Sequence, residues 1–149
     1  MIRKARIEDI KEIQKLVNSF AKQDLMLPRS LNELYENIRD FWVIEDRNKI
    51  AGCAALHISW DDLAEIKSVA VAKNKQKKGL GKELVFSCLN EAKDLGAKKI
   101  FVLTYKPEFF KKFGFKRVKT SELPHKIWAE CINCCKFPSC QEIALLKIL

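Results

Sequence analysis

An apolar segment that runs into a basic, glycine-containing turn and then into an amphipathic segment constrains the fold most. Residues 69–71 end a strand-like pattern, and residues 73–82 carry five lysines together with Gly79 and Gly81. Apolar residues then recur at helical spacing: Leu80, Leu84, Val85, Cys88, Leu89 and Ala92. Gly96 follows them as a stop signal. This order predicts a strand, a turn and a helix that packs on a sheet.

The turn has the properties of an anion site. The N-terminus of a helix presents unpaired N–H groups and the positive end of a dipole, and glycines allow a phosphate to approach the backbone closely. The segment lacks the spacing and the Lys-Ser/Thr ending of a nucleotide triphosphate loop, and it has no three-glycine dinucleotide fingerprint. We therefore expect it to grip a pyrophosphate of another kind of ligand.

Strand and helix patterns also fill the flanking sequence. Strands are predicted over residues 2–7, 41–45, 50–58, 64–71, 99–104 and 142–149, with a further one opening at residues 113–115. Helices are predicted from Asp9 or Glu8 through Phe20, from Ser30 to about Ile38, over residues 79–95 and over residues 107–112. Ser30 and Glu33 form a capping box for the second helix.

Length and charge bound the class of protein. The 149 residues suit one domain, and 28 Lys plus Arg against 19 Asp plus Glu give a net charge of +9, which attracts anions. No apolar run predicts a membrane helix or a signal peptide, so we expect a cytoplasmic protein with no membrane partner. A nucleic-acid-binding module is disfavoured, because the lysines are scattered and the densest cluster is explained by phosphates.

Cysteines crowd one segment near the C-terminus. Cys53 and Cys88 lie in apolar patterns, whereas residues 123–141 form a Cys-rich segment. Its thiols are Cys131, Cys134, Cys135 and Cys140. Zinc on these thiolates is an alternative, but structural zinc sites normally join two separated pairs, so we predict no metal and favour free thiols or a labile disulfide. A cover over a substrate pocket, or a subunit contact in a homodimer, also stays open.

The basic turn carries a resemblance to a known family. Gln76-x-x-Gly79-x-Gly81, after an apolar strand, resembles the Gln/Arg-x-x-Gly-x-Gly/Ala signature of the GNAT superfamily of N-acetyltransferases, and residues 109–115 resemble its aromatic-x-x-x-Gly-Phe segment. The resemblance covers the whole chain as a single domain, 1–149. It implies an α+β (α/β) GNAT fold: a central mixed, mostly antiparallel, twisted and splayed sheet of about six to seven strands flanked by about four helices.

A narrower resemblance concerns the acceptor. Residues 28–35, 65–71 and 123–131 are similar to short single-domain bacterial N-acetylglutamate synthases. This implies transfer of acetyl from acetyl-CoA to the α-amine of an amino acid, L-glutamate, as the first step of arginine biosynthesis. Acetylation of another small amine or of a protein amine, and a CoA-binding sensor without turnover, are the alternatives.

The resemblance also implies the donor site. Backbone amides of residues 77–82 would hold the pyrophosphate, and those of Val69 and Val71 would pair with the pantetheine arm, with the Val69 N–H stabilising the oxyanion. The expected CoA-binding residues are Val69, Ala70, Val71, Gln76, Lys77, Lys78, Gly79, Leu80, Gly81, Lys82, Phe109 and Phe113.

Proton transfer and acceptor binding need side chains. Glu65 is the predicted general base, with His57 as a lesser candidate. Phe110 stands where the superfamily often has a tyrosine that acts as the general acid. Without it, water or Tyr105 would protonate the thiolate of the departing CoA. Arg29 and Lys67 are predicted to bind the acceptor's carboxylates, assisted by His57 and Thr104, and Arg39 and Lys22 are less favoured alternatives.

Overall fold

A computed structural model describes residues 1–23, 25–123 and 142–149. Its strands are β1 (Ile2–Lys4), β2 (Phe41–Asp46), β3 (Lys49–Ile58), β4 (Leu63–Val71), β5 (Lys99–Thr104), β6 (Lys116–Arg117) and β7 (Ile143–Ile148). Its α helices are α1 (Ile10–Ala21), α2 (Leu31–Glu36), α3 (Leu80–Asp94) and α4 (Pro107–Lys111). Short 3-10 turns cover Ile7–Asp9, Ile38–Asp40, Lys73–Lys75 and Thr120–Glu122.

The strands form one mixed sheet in the order β1-β2-β3-β4-β5-β7-β6. Every neighbouring pair is antiparallel except β4 and β5, which run parallel. The parallel pair needs a crossover, and the basic turn with α3 supplies it. The predicted mixed, mostly antiparallel sheet with flanking helices is confirmed.

Local sequence accounts for several element boundaries. Arg47 and Asn48 have φ of 53° and 63° and join β2 to β3 in a two-residue hairpin turn, the kind whose twist matches that of the strands. The Ser30 hydroxyl accepts a hydrogen bond from the Glu33 N–H at 3.1 Å, as the capping box predicts. Gly96, with φ of 89°, follows α3 and ends it.

Three predicted boundaries differ from the structure by two or three residues. The first strand ends at Lys4 rather than residue 7, because the backbone turns at Ile7–Asp9, where the Asp9 carboxylate accepts the Arg6 N–H at 2.7 Å. Helix α2 ends at Glu36, since Asn37 leaves helical geometry at φ −110°. Residues 113–115 do not open a strand; Gly114 turns the chain at φ 90°, and β6 begins at Lys116.

Two apolar layers enclose the sheet. On one face the buried stripe of α3 packs on strand residues that include Ala54, Leu56, Ala64 and Ile66. On the other face the buried residues of α1 pack on Phe41, Val43, Cys53 and Ala55. The predicted stripe of α3 is confirmed, with Leu80 half-buried at its first turn.

The sheet splays between β4 and β5. Their pairing covers only Leu63 with Lys99, Ala64 with Ile100 and Glu65 with Phe101, so the later residues of the two strands diverge. Ser68, with φ of 57°, lies where the register between β3 and β4 shifts. This bulge bends β4 shortly after Glu65, the last residue that pairs with β5. The predicted splay is confirmed, and among the described residues no strand pairs with this edge of β4 beyond Glu65. Across the described ranges, no helix is long and apolar enough to cross a membrane.

Candidate active site

A cleft of about 1380 Å³ occupies the gap that the splayed strands leave. The second half of β4 and the end of β5 form two of its walls, and the α1–α2 loop, the first turn of α3 and α4 complete it. The cleft therefore joins the basic turn, at one end, to the α1–α2 loop at the other.

The cleft brings together nearly all the residues predicted for a site. Those that line it are Arg29, His57, Glu65, Lys67, Val69, Ala70, Val71, Gln76, Lys77, Gly79, Leu80, Gly81, Lys82, Thr104, Tyr105 and Phe109. Lys78 and Phe113 do not line it: Lys78 is exposed, and Phe113 packs edge-on behind Phe109 with ring centroids 5.3 Å apart. Arg39 and Lys22, the less favoured alternatives, also lie outside the lining.

The basic turn presents the N-terminus of α3 to the cleft. Gly79 is the N-cap residue and adopts left-handed geometry at φ 79°, and Lys77 does so at φ 65°. A Cβ atom on Gly79 would meet nothing within 4 Å, so its backbone conformation, rather than crowding, is what favours glycine there. The first-turn N–H groups of this 15-residue helix have no partner within the helix, so this terminus is suited to an anion.

The free edge of β4 offers backbone groups to the same cleft. The Ala72 N–H donates to the Ala51 carbonyl at 2.8 Å, toward β3, so the preceding residue, Val71, directs its backbone groups to the opposite edge. The Gln76 side chain donates to the Val71 carbonyl at 3.0 Å, which agrees with that direction. By the same alternation Val69 faces the cleft as Val71 does. An extended ligand can pair with these two residues as an added strand.

Gly81 allows α4 to close one side of the cleft. A Cβ atom on Gly81 would lie 3.3 Å from Phe109 Cζ, tighter than an ordinary contact. Glycine at the first turn of α3 thus permits close packing of the Phe109 ring. The turn's two signature glycines therefore serve different purposes, one conformational and one steric.

Two lysines of the basic turn hold it against the rest of the fold. Lys75 Nζ lies 2.6 Å from Asp46 Oδ2 on the β2–β3 hairpin, and this contact holds the pKa of Asp46 below its usual range. Lys73 Nζ donates to Gln23 Oε1 at 3.2 Å, beyond the end of α1. The lysine cluster predicted as a phosphate site is thus partly structural, which spacing in the sequence alone does not reveal.

Arg29 is fixed by its backbone at the other end of the cleft. Its N–H donates to Asn18 Oδ1 at 3.0 Å, and its carbonyl accepts from Gln14 and Asn18 at 3.3 and 3.4 Å. Its guanidinium contacts Ser68 Oγ and Glu33 Oε2, each at 3.4 Å, and the side chain is 22% exposed. A cation is therefore held beside the turn of β4 while part of it still faces the cleft.

Glu65 is buried in the cleft wall, and its cross-strand partner is His57. Lys67 lies two residues further along β4 and shares that face. His57 Nδ1 lies 2.6 Å from Asp40 Oδ2. The sequence predictions did not include Asp40 or Ser68, since their contacts join residues 17 and 39 positions apart in the chain. No spacing rule connects residues at such separations.

The side of the cleft formed by the end of β5 carries Thr104 and Tyr105. Thr104 is the residue predicted to contact the acceptor, and Tyr105 is the candidate general acid. Phe110 is buried in α4 and has no group that donates a proton. No cluster of three or more His, Cys, Asp or Glu side chains able to hold a metal occurs within the described parts of the chain. The cysteine set Cys131, Cys134, Cys135 and Cys140 lies outside the described residues.

Known proteins resemble this chain in sequence. The model of the Acetyltransferase (GNAT) family matches residues 7–115. An uncharacterized N-acetyltransferase of Chlorobaculum tepidum is 37% identical over 148 residues, which are 99% of this chain and 96% of that protein. An amino-acid acetyltransferase of Mycobacterium tuberculosis is 36% identical over 133 residues, covering 87% of this chain and 76% of its own.

Solved structures agree with the sequence relatives. Rv2747 from Mycobacterium tuberculosis, crystallised in complex with CoA, superposes with a TM-score of 0.86 at 30% identity and covers 100% of this chain and 99% of its own. N-acetylglutamate synthase from Neisseria gonorrhoeae, complexed with CoA and N-acetyl-glutamate, gives 0.88 at 27% identity, and the match spans 35% of that longer chain. The splayed sheet, the glycine turn and these matches together show that the chain belongs to the Acetyltransferase (GNAT) family and is an acetyltransferase.

Proposed function

We propose that this chain transfers the acetyl group of acetyl-CoA to the α-amine of L-glutamate, a reaction that begins arginine biosynthesis. The observation that carries the proposal is the single cleft with an anion-binding helix terminus at one end, Arg29 and Lys67 at the other, and the buried Glu65 near those cations. Relatives named amino-acid acetyltransferase, and a neighbouring structure complexed with CoA and N-acetyl-glutamate, support the same reaction.

The donor end fits CoA by charge and by backbone geometry. Amides of residues 77–82 and the dipole of α3 suit the pyrophosphate, and Lys82 adds a cation at the rim. The free edge at Val69 and Val71 suits the amides of the pantetheine arm. In this arrangement the thioester lies beside the turn of β4, and the Val69 N–H stabilises charge that develops on the carbonyl oxygen.

The acceptor end fits an anionic amino acid. Arg29 presents a guanidinium held by its backbone, which suits bidentate binding of a carboxylate, and Lys67 offers a second cation on the wall of β4. Glu33 forms an ion pair with the Arg29 guanidinium at 3.4 Å and lies at the rim of the cleft, with 52% of its side chain exposed. A substrate carboxylate competes with Glu33 for this cation at little cost, because exposed ion pairs are weak.

Glu65 is the proposed base. An ammonium group does not attack a thioester, so its proton must first pass to the carboxylate, directly or through water. The free amine then forms the N–C bond as the C–S bond breaks, and CoA leaves as a thiolate. The nitrogen loses its second proton to water, and the thiolate takes a proton from Tyr105 or water. A Tyr105 that has given its proton regains one from water, so each turnover releases one proton in total. A thiol with a pKa near ~8.5 leaves readily, so this last proton transfer needs little assistance.

The test is release of CoA from acetyl-CoA with L-glutamate, L-glutamine, L-aspartate, a polyamine and a peptide amine. We expect glutamate to give the highest kcat/KM, because the uncharged amide of glutamine loses a charge-assisted contact of about 1.5–3 kcal/mol, roughly ten- to a hundredfold. Glu65→Gln should lower kcat by about 10²–10⁴-fold near neutral pH. Lys67→Gln should raise KM for glutamate and leave KM for acetyl-CoA unchanged.

Matched controls are available away from the cleft. Glu8 and Lys93 are exposed, so Glu8→Gln and Lys93→Gln make the same charge changes without touching the lining. Both should retain wild-type kinetics. Absence of turnover with every amine would overturn the enzyme assignment, and a preference for another amine would overturn glutamate as the acceptor. Full activity of Glu65→Gln at neutral pH would remove Glu65 as the base.

A further inference from the structure

Asp40 and His57 are in contact with each other beside Glu65. The reaction proposed above uses neither of them. We propose that Asp40 and His57 form a proton relay behind Glu65: Asp40 positions the imidazole, and His57 takes the proton that Glu65 removes from the acceptor ammonium. The inference rests on the proposed role of Glu65. It adds two residues to the proton path, one of which lies outside the cleft.

The contact between Asp40 and His57 is short and partly buried. Nδ1 and Oδ2 are 2.6 Å apart, and the side chains are 22% and 27% exposed for Asp40 and His57 respectively. Asp40 ends the 3-10 turn Ile38–Asp40 and does not line the cleft, whereas His57 does. The pair therefore extends from behind the cleft wall to its surface.

Strand register brings His57 next to Glu65. The Ser59 N–H donates to the Leu63 carbonyl at 2.9 Å, and two residues further back along this antiparallel pair His57 faces Glu65. Directly opposed residues of this kind have Cβ atoms about 4.5–5.5 Å apart and side chains on one face of the sheet. Imidazole and carboxyl are thus neighbours on the wall that carries Lys67.

The contact to Asp40 fixes which nitrogen of His57 is basic. A carboxylate only accepts hydrogen bonds, so Nδ1 must carry the hydrogen, and in the neutral ring Nε2 is left as the proton acceptor. When Nε2 takes a proton the ring becomes a cation, and the Asp40 carboxylate stabilises that charge at 2.6 Å. Asp40 thereby orients the ring and lies beside the charge that forms on it when the proton is transferred.

The relay carries the first of the two protons that the acceptor nitrogen loses, and the second leaves that nitrogen for water after the N–C bond forms. The ammonium gives one proton to the Glu65 carboxylate and becomes a neutral amine. The Glu65 carboxyl passes that proton to Nε2 of His57 and returns to carboxylate, and the imidazolium releases the proton to water in the cleft. No oxidant or further reactant is needed, and Glu65 is ready for the next acceptor without direct exchange with bulk solvent.

Other charges that face the relay bear on its pH dependence. Those that line the same cleft are Arg29, Glu33, Lys67, Tyr105, Lys106 and Glu142. Arg29 and Lys67 bring positive charge to this wall, and the carboxylates of Asp40 and Glu65 bring negative charge. Only a neutral imidazole accepts the proton from Glu65, so the relay requires that kcat fall on the acid side of the pH profile.

The experiment compares kcat and KM from pH 5.5 to 9.5 in the wild-type chain, His57→Gln, Asp40→Asn and Asp40→Glu, with the wild type's best amino-acid acceptor. We expect His57→Gln and Asp40→Asn to lower kcat by about ten- to a hundredfold, less than the ~10²–10⁴-fold typical of a group that contacts the reacting amine. KM for both substrates should stay within about twofold, since the relay assigns His57 to proton transfer and not to the carboxylate binding that the sequence also allowed. Asp40→Glu, which keeps the carboxylate, should recover part of kcat.

Imidazole rescue separates a relay from a structural role. His57→Ala opens space beside the cleft, and added imidazole should raise its kcat severalfold while leaving wild type unchanged. The acid limb of the kcat profile should weaken in His57→Gln. Asp94→Asn, an exposed change on α3, is the matched control and should behave as wild type. If the His57 variants do not fold, the Asp40→Asn and Asp40→Glu profiles decide the matter.

Two results would overturn the relay. One is an unchanged kcat and pH profile in His57→Gln. The other is a loss that is equal at every pH and insensitive to imidazole, which is what a packing defect produces. Wild-type inactivity with all amines would instead overturn the proposed function itself, and would be evident before any variant is compared.

Discussion

Ser68 turns β4 at the position where the sheet splays, and its side chain contacts Arg29. Its φ of 57° is uncommon for a residue other than glycine, and its carbonyl accepts the Cys53 Sγ–H at 3.3 Å. One residue thus links the α1–α2 loop, the bulge and β3. Left-handed backbone geometry of this kind gathers at functional sites, where the surrounding contacts maintain it.

The two described cysteines are buried thiols rather than reactive ones. Burial raises the pKa of Cys53 and of Cys88 to about 12 in each case. Since the thiolate is the nucleophile, both side chains should stay unmodified by iodoacetamide at pH 8 in the folded protein. Peptide mass spectrometry after brief alkylation checks this at each site.

Unfolding in urea before alkylation is the control for the thiols, and it should expose both to complete reaction. Rapid modification of Cys53 in the native protein would contradict its burial against Ser68. Slow modification also matters for kinetic assays, because thiol reagents that report CoA release would not be consumed by these two residues.

At the scale of elements, a buried ion pair joins β1 to the start of α1. Arg3 donates to Asp9 at 2.7 and 3.1 Å and to Glu45 of β2 at 3.1 Å. Asp9 is 6% exposed, and its hydrogen bonds to Arg3 hold its pKa below the usual range. This pair fixes the entry to the helix whose Gln14 and Asn18 position Arg29.

Asp9→Asn should therefore destabilise the protein by about 3 kcal/mol at pH 7, because it leaves the Arg3 charge only partly compensated. Asp9 has a lowered folded pKa, so its contribution is fully present above the unfolded value of about 3.9 and is lost as pH falls through the folded value. The difference in free energy of unfolding between wild type and Asp9→Asn should accordingly become smaller below about pH 4. Urea unfolding at pH 7, 5, 4 and 3 measures it.

Asp94→Asn is again the matched control for this change, with free energies of unfolding near wild type throughout. A difference in free energy of unfolding that stays constant down to pH 3 would contradict this prediction, because it would mean that the charge of Asp9 does not contribute to stability.

The whole molecule is built around the splay of β4 from β5, which makes the cleft continuous from the glycine turn to Arg29. The cleft is lined by residues of both apolar layers, with Phe20 from one and Leu80 and Phe110 from the other. Binding to the folded state alone stabilises it by mass action, so the donor's affinity can be read from unfolding.

CoA at about 100 times its Kd should stabilise the fold by ~2.7 kcal/mol, which corresponds to a rise in Tm of roughly 5–10 °C for a chain of this size. The shift should shrink between 50 and 300 mM salt, because the proposed phosphate site is a lysine-rich turn and salt screens its attraction for anions. Thermal denaturation followed by circular dichroism measures both effects.

Pantetheine, which lacks the pyrophosphate, is the control ligand and should produce a smaller shift that is insensitive to salt. Equal shifts for CoA and pantetheine would contradict the pyrophosphate assignment to residues 77–82.

The sequence by itself determined the order of elements, the crossover from β4 through the glycine turn to α3, and the family. These follow from residues close together in the chain, since Gly79 sets the backbone of the turn, the Gln76 side chain contacts Val71 five residues earlier, and the stripe of α3 repeats at helical spacing. The residues predicted for the site gather in one cleft except Lys78 and Phe113, and their individual roles stay predictions.

Only the tertiary structure decided what lies next to what within that cleft. Strand register sets His57 opposite Glu65, the 3-10 turn before β2 brings Asp40 to that imidazole, and the bulge at Ser68 brings its hydroxyl to Arg29. These contacts join residues that are distant in the chain, and register, bulges and turn ends are fixed by packing of the two apolar layers rather than by local propensity.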